Sequence, residues 1–180
     1  MLYGEEVIEK MKESLGENFL EGKVIERKEG VKKLVKKDVF VKVKREAQMD
    51  AIKTLLSMGD VYLIVMSGED RGDVITVNYH FSLNYANPGK ENVVTISMDV
   101  PKNDLKLQSL TAIFRGASTT EREMHEMLGI DFIGLKDKRH LFLPEDWPEG
   151  KYPWRRDEYG VKDMVKFTHK NVRSEVKKNE

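Results

Sequence analysis

Apolar positions recur along this chain with two periods, and the switch between them marks out the elements. Val7, Ile8, Met11 and Leu15 return every three or four residues among Glu and Lys, which predicts a helix over 5–15 stopped by Gly16. Residues 23–28 and 38–43 alternate apolar and charged side chains and read as half-exposed strands. The lysine-rich VKKLVKKD between them fits a strand edge, a loop or a short helix. Met49, Ile52, Leu55 and Leu56 share one face of a helix over 46–58, closed by Gly59. Strands follow at 60–67, 73–85 and 93–100. The turn formers Ser67 to Gly72 join the first pair, and a Pro88-Gly89 turn joins the second. From Leu105 to Phe114, and again from Ser118 to Leu128, the spacing becomes helical. Past Gly129 the chain turns irregular. This order predicts an α+β fold, with an antiparallel or mixed sheet, helices packed on one face, and an extended C-terminal segment. Residues 1–130 are expected to form the α+β domain and 131–180 the extended segment and tail.

Composition narrows the function. The 180 residues carry 31 Lys+Arg and 31 Asp+Glu, a balance unlike the basic excess of a dedicated nucleic-acid binder. With 22 Lys and 19 Glu, two Gln and no Cys, the usage resembles that of hyperthermophiles. Without cysteine the chain cannot hold a thiolate-ligated iron–sulfur cluster, use a cysteine nucleophile or build a Cys-type zinc site. If it serves electron transfer, its neighbours hold the electrons. No run approaches the roughly 20 apolar residues that span a bilayer, and the start MLYGEEVIEK is not a signal peptide. A soluble, cytoplasmic chain is the expectation.

Familiar catalytic patterns fail here. His125-Glu126 opens a helical zinc motif, but the position of its second histidine is Gly129. His80, His125, His140 and His169 are not spaced as ligand pairs. There is neither a phosphate loop nor a serine elbow. The informative stretch is 118–159. Thr120 with Glu123, or Ser118 with Glu121, reads as a capping box. Arg122 and Glu126, four apart, can pair on the helix surface. Met124, Met127 and Leu128 form an apolar face, and Gly129 supplies a left-handed stop. Beyond it, Phe132, Phe142, Trp147, Tyr152, Trp154 and Tyr159 stand among Arg139, Arg155 and Arg156. Aromatics with Arg are the makeup of interface hot spots, and a long irregular segment of this kind suits a partner surface better than core padding.

This stretch resembles a known family, the 30-kDa subunit of NADH:quinone oxidoreductase, or complex I. Glu121-Arg122-Glu123, Glu126 and Met127-Leu128 fit its E-R-E signature. Gly129-Ile130-Asp131-Phe132 with Gly134 fits its G-I-x-F-x-G run. Arg139, Leu141 and Leu143-Pro144-Glu145-Asp146-Trp147 fit its arginine and L-P-E-D-W. Arg155-Arg156-Asp157 and Tyr159 fit its closing R-K-D-Y, with Glu158 as an extra residue. Leu135 departs from the family's His or Lys, and the chain is shorter than many bacterial members. These departures, with the Lys/Glu-rich composition, suit the relatives in membrane-bound, energy-converting [NiFe] hydrogenases and similar ferredoxin-linked complexes.

The resemblance implies a subunit without catalytic, cofactor or metal residues of its own. It implies a structural role in a peripheral arm on the cytoplasmic face of the membrane. There the chain would brace a hydrogenase-like large subunit and an iron–sulfur small subunit, with membrane subunits joined through the assembly. The [NiFe] centre and iron–sulfur clusters would belong to those partners. Glu121, Arg122, Glu123 and Glu126 are then expected to make polar contacts within the chain or across to the large subunit. Arg139, Trp147, Trp154, Arg155, Arg156, Asp157 and Tyr159 are expected to wrap it. An equivalent subunit of a quinone- or sulfur-linked complex without nickel is the nearest alternative. More distant are an enzyme using Glu123 and Glu126 as acid and base, and a nucleic-acid module using the lysines at 32–37 and the basic tail 161–180.

Overall fold

A computed structural model describes residues 4–29, 34–87 and 91–164. In chain order these form α1 (Glu5–Leu15), β1 (Phe19–Glu29), β2 (Leu34–Val43), α2 (Gln48–Leu56), β3 (Val61–Asp70), β4 (Val74–Leu83), β5 (Asn92–Pro101), β6 (Lys106–Gln108), α3 (Ala117–Leu128) and β7 (Asp131–Ile133). One mixed sheet runs β1-β2-β5-β4-β3, and β6 pairs with β7 beside it. The expected meander is there: β3–β4 and β4–β5 are antiparallel, with Tyr79 opposite Met66 on one side and Ile96 on the other. The sheet is mixed because α2, β3 and β4 intervene before β5 returns parallel to β2, with Val41 opposite Ile96.

Period-2 alternation sends one set of side chains into the core. Val39, Val41 and Val43 of β2, Ile75 to Leu83 at alternate positions of β4, and Val94 to Val100 of β5 are buried. Against them lie Val7, Met11 and Leu15 of α1 and Ala51, Ile52 and Leu55 of α2. Each fully buried Val, Leu, Ile or Met side chain among these is worth about 1.5–3 kcal/mol. α3 crosses β3 at Gly68, where a methyl group would collide with Leu128 and meet Met124. Glycine there lets the helix approach the strand.

Of the readings open for the lysine-rich stretch, the strand holds for Leu34 to Asp38, which belong to β2. Other local expectations need correction. The first hairpin turn is shorter than expected, because β3 continues to Asp70. Residues 105–114 are not a helix. Lys106–Gln108 forms β6, and one hydrogen-bonded turn follows, with Ile113 and Phe114 amides donating to Leu110 O. Side chains remote in sequence hold this segment instead. The Gln48 amide donates to Gln108 O and accepts from Gln108 N, both at 2.8 Å. Gln48 also donates to the hydroxyl of fully buried Tyr79, at 2.8 Å. The Pro88-Gly89 turn, Lys32, Lys33 and the tail from 165 onward, with His169, lie outside the described residues.

Candidate functional site

From Glu121 onward α3 is built almost wholly from good helix formers, and the helix's apolar side is buried through Ala117, Met124, Met127 and Leu128. Neither expected capping box forms, because the helix begins at Ala117, ahead of both. Thr120 Oγ1 instead donates back to Ala117 O. Glu121 points inward. Its carboxylate accepts from Ser109 Oγ at 2.7 Å and from Leu110 N at 2.6 Å, so it ties the 109–110 turn to α3. Burial pushes this carboxyl above the usual range, against those two bonds. The left-handed stop at Gly129 holds, at φ 81°.

Arg122 and Glu126 share a helix face, as their spacing predicts, yet they do not pair with each other. They grip a third element between them. Arg122 Nε donates to Arg139 O at 2.9 Å and its Nη2 to His140 O at 2.8 Å. Glu126 accepts from Leu141 N at 2.8 Å and from Phe142 N at 2.9 Å. Two carbonyls and two amides in succession are therefore held by one cation and one anion of α3. Four of the contacts in this grip are to backbone, and side chains of the gripped segment add to them. His140 Nδ1 lies 3.3 Å from Glu126. Asp137 steers the approach. It bonds Arg139 and lies 3.6 Å from Arg122, and these contacts hold its carboxyl well below the usual range.

A second anchor holds residues 152–160. Asp70, at the end of β3, is buried, and its carboxylate accepts from the amides of Gly72 and Arg156 and from Lys102 Nζ. Lys102 also donates to Asp157 at 2.6 Å. Arg155 is buried, pairs with Asp157 and lies 3.9 Å from Asp70. Its Nη1 reaches Leu128 O at 3.3 Å, placing a cation at the C-terminal end of α3 where the helix dipole favours one. The Tyr159 ring lies 5.3 Å from this guanidinium. Two anions and two cations thus neutralise one another. Burial alone would raise the Asp70 and Asp157 carboxyls, but the bonds from Lys102, Arg155 and backbone amides outweigh it and hold both below their ordinary value. Burial likewise opposes the Lys102 charge, and its two carboxylate partners overcome it. Trp154 N donates to Met127 O, and the Tyr152 ring lies against Gly129.

The residues expected at an interface separate into two groups. Glu121, Arg122, Glu126, Arg155 and Asp157 spend their polar atoms inside the chain. Trp147 spends its indole N–H on Lys151 O. Facing outward are Trp154 and Tyr159, 43% and 48% exposed, and Phe142 at 63%. The Arg139 side chain is exposed and pairs with Asp137 alone among the described residues. Glu123 and the Arg156 side chain have no hydrogen-bond or ion-pair partner among them. Asp70, Lys102 and Asp137 were missed in the sequence. Asp70 sits in a run of turn formers, where an aspartate reads as a solvated turn residue.

Among the described residues no cluster of His, Asp and Glu could hold a metal ion, and no helix is long and apolar enough to cross a membrane.

Comparison with known proteins agrees with the motif. The membrane-bound hydrogenase subunit beta of Pyrococcus furiosus is 37% identical over 130 residues, 71% of this chain and 75% of that protein. The NAD(P)H-quinone oxidoreductase subunit J of Prochlorococcus marinus is 30% identical over 122 residues, 65% of this chain and 69% of the relative. Two further relatives from Escherichia coli are longer proteins, of which the chain spans 21%. A solved structure of the membrane-bound sulfane sulfur reductase, an archaeal respiratory membrane complex, contains a chain of the same fold. It aligns with a TM-score of 0.64 at 18% identity, over 96% of this chain and 91% of that one. Residues 41–163 match the family described as the respiratory-chain NADH dehydrogenase 30 Kd subunit, and with that stretch covering more than half of its length the chain belongs to this family.

Proposed function

We propose that this chain is a non-catalytic subunit of the peripheral arm of a membrane-bound, complex-I-like assembly of the energy-converting [NiFe] hydrogenase kind. It braces the large subunit and the adjoining iron–sulfur subunit at the cytoplasmic face, and nickel and clusters reside in those partners. One observation carries the reading. The irregular segment after Gly134 is fixed at two points, by Arg122 with Glu126 and by the charge cluster around Asp70, while Phe142, Trp154 and Tyr159 are left facing outward. A segment ordered at its backbone and apolar on its outside is what a preorganised docking surface needs. The 37%-identical hydrogenase subunit favours the hydrogenase over its rivals. The absence of cysteine supports a subunit that ligates no cluster. An equivalent place in a sulfur-linked complex is the second reading, favoured by the fold shared with the sulfane sulfur reductase chain.

Mild-detergent purification of the tagged chain from its native membranes tests both. Co-purification with a nickel-bearing large subunit supports the hydrogenase. Iron without nickel supports the second reading, and a lone chain with neither metal refutes both. Arg156→Ala is expected to weaken assembly while changing the stability of the isolated chain by less than about 0.5 kcal/mol, since that side chain is exposed. Unfolding of the isolated variant would show that the residue is internal instead.

A further inference from the structure

The two arginines in sequence at 155 and 156 have opposite fates. Arg155 is buried and neutralised, whereas Arg156 points outward without a partner among the described residues. What separates them is Asp70, eighty-six residues away, whose buried carboxylate accepts the Arg156 backbone amide at 2.8 Å. With Lys102 it also braces the neighbouring Asp157, which takes the Arg155 guanidinium. Gly160 closes the far side of this loop, where a methyl group would collide with Arg155 O. Both sides of residue 156 are therefore fixed, and its side chain is directed away from the cluster.

We propose that Asp70 is a positioning residue for docking. It sets the 155–157 backbone so that the Arg156 guanidinium projects toward a carboxylate on the surface of a protein partner. The inference rests on the docking role proposed above and names the chemistry that the site recognises. The four charges behind Arg156 cancel, so its charge is free for a partner. A guanidinium matches a carboxylate with two parallel hydrogen bonds. Half-exposed Trp154 and Tyr159 nearby in sequence supply the aromatic surface that accompanies arginine hot spots. A polyanion calls for a stripe of unpaired cations. Here Lys151 is paired with Asp163 and Arg155 with Asp157, which leaves Arg156 and Lys162, whose ammonium donates to Arg156 O, as two adjacent cations and not a stripe. A protein carboxylate fits this arrangement better than a nucleic acid or a lipid surface.

The test uses the whole complex, purified in mild detergent and washed with rising KCl, with this chain quantified against the large subunit. Arg156→Glu is expected to lower retention at least tenfold at moderate salt. Asp70→Asn is expected to lower it in the same direction. The double variant should be no worse than Arg156→Glu alone, because Asp70 acts through Arg156. Losses that multiply would show that Asp70 contributes stability alone, and would overturn the proposal. So would wild-type retention of Arg156→Glu, an exposed change that leaves the fold intact even if Asp70→Asn unfolds. Normal retention in detergent with weakened binding to anionic phosphatidylglycerol vesicles would assign Arg156 to lipid and overturn it too. Phe142→Asp separates the two levels of the argument. If it detaches the chain while Arg156→Glu does not, the docking role stands and the carboxylate contact falls. If neither variant detaches it, both fall.

Discussion

Glu126→Gln isolates the grip of α3 on the 139–142 backbone, because it changes one atom and almost no volume. In the native chain the Glu126 carboxylate, its side chain 2% exposed, accepts two backbone N–H donors, from Leu141 and Phe142. Hydrogen bonds to a charged group are worth about 1.5–3 kcal/mol each, and a buried donor left unmade costs about 1–3 kcal/mol. Glutamine keeps one acceptor oxygen and turns an N–H toward the other backbone donor. One bond is lost, one N–H faces another, and the charge that strengthened the remaining bond is gone. The sum is a local loss of about 3 kcal/mol. At about 1.4 kcal/mol per tenfold, amide exchange at Leu141 and Phe142 should accelerate roughly 100-fold.

Hydrogen exchange of the full chain measures this directly. Trypsin should report the same opening through faster cleavage after Lys136, Lys138 and Arg139. Amides of Val77 and Ile96, deep in β4 and β5, should keep their native rates. Arg122→Ala should free the same segment from its other side, and combining the two should cost less than the sum, since both hold four consecutive residues. Unchanged exchange at Leu141 and Phe142 would refute the grip. Equal acceleration at Val77 and Ile96 would make Glu126 a support of the whole fold rather than of one segment.

Other perturbations follow from the same geometry. Gly129→Ala combines a left-handed backbone at φ 81° with a methyl group 2.7 Å from Tyr152 Cζ, and should cost about 2–4 kcal/mol in thermal unfolding. In a Tyr152→Ala background the clash disappears, and about 1 kcal/mol of backbone strain should remain; an unchanged cost would show that the ring does not matter. Asp70 and Asp157 have lowered folded-state pKa values, so their contribution is present above the ordinary aspartate value of about 4 and is lost as pH falls below it. Asp70→Asn should flatten the acid limb of Tm against pH. Glu121 has a raised value, so its contribution is fullest below the ordinary glutamate value of about 4.3 and declines as pH rises. Glu121→Gln should remove that decline, whereas Glu121→Ala, which leaves Leu110 N without its acceptor, should destabilise at every pH.

Legibility in the sequence followed the range of the contacts. The strands of the meander satisfy their own hydrogen bonds and bury one face, so alternation such as Ile75-Val77-Tyr79-Phe81 was enough to place them. α1 and α3 were placed by the same logic at a period near 3.6, and Gly16 and Gly129 ended them as expected. Residues 105–114 deceived because Leu107, Leu110 and Phe114 have helical spacing, while the backbone of Gln108 and Leu110 is held by Gln48 and Glu121. A sign was present in α2. Gln48 stands at the position that Ile52 and Leu55 continue, and a polar residue on an apolar face needs a buried partner. The E-R-E motif told a similar half-truth. Its composition marked the right helix, but surface spacing paired Arg122 with Glu126, when each reaches backbone groups well beyond the end of the helix. Asp70 was hidden more completely, because its partner amide at Arg156 carries no side-chain signature at all. Recognition of a backbone amide leaves one charged residue in the sequence and no matching side chain at position 156, which is why a motif can mark a segment without revealing all that holds it in place.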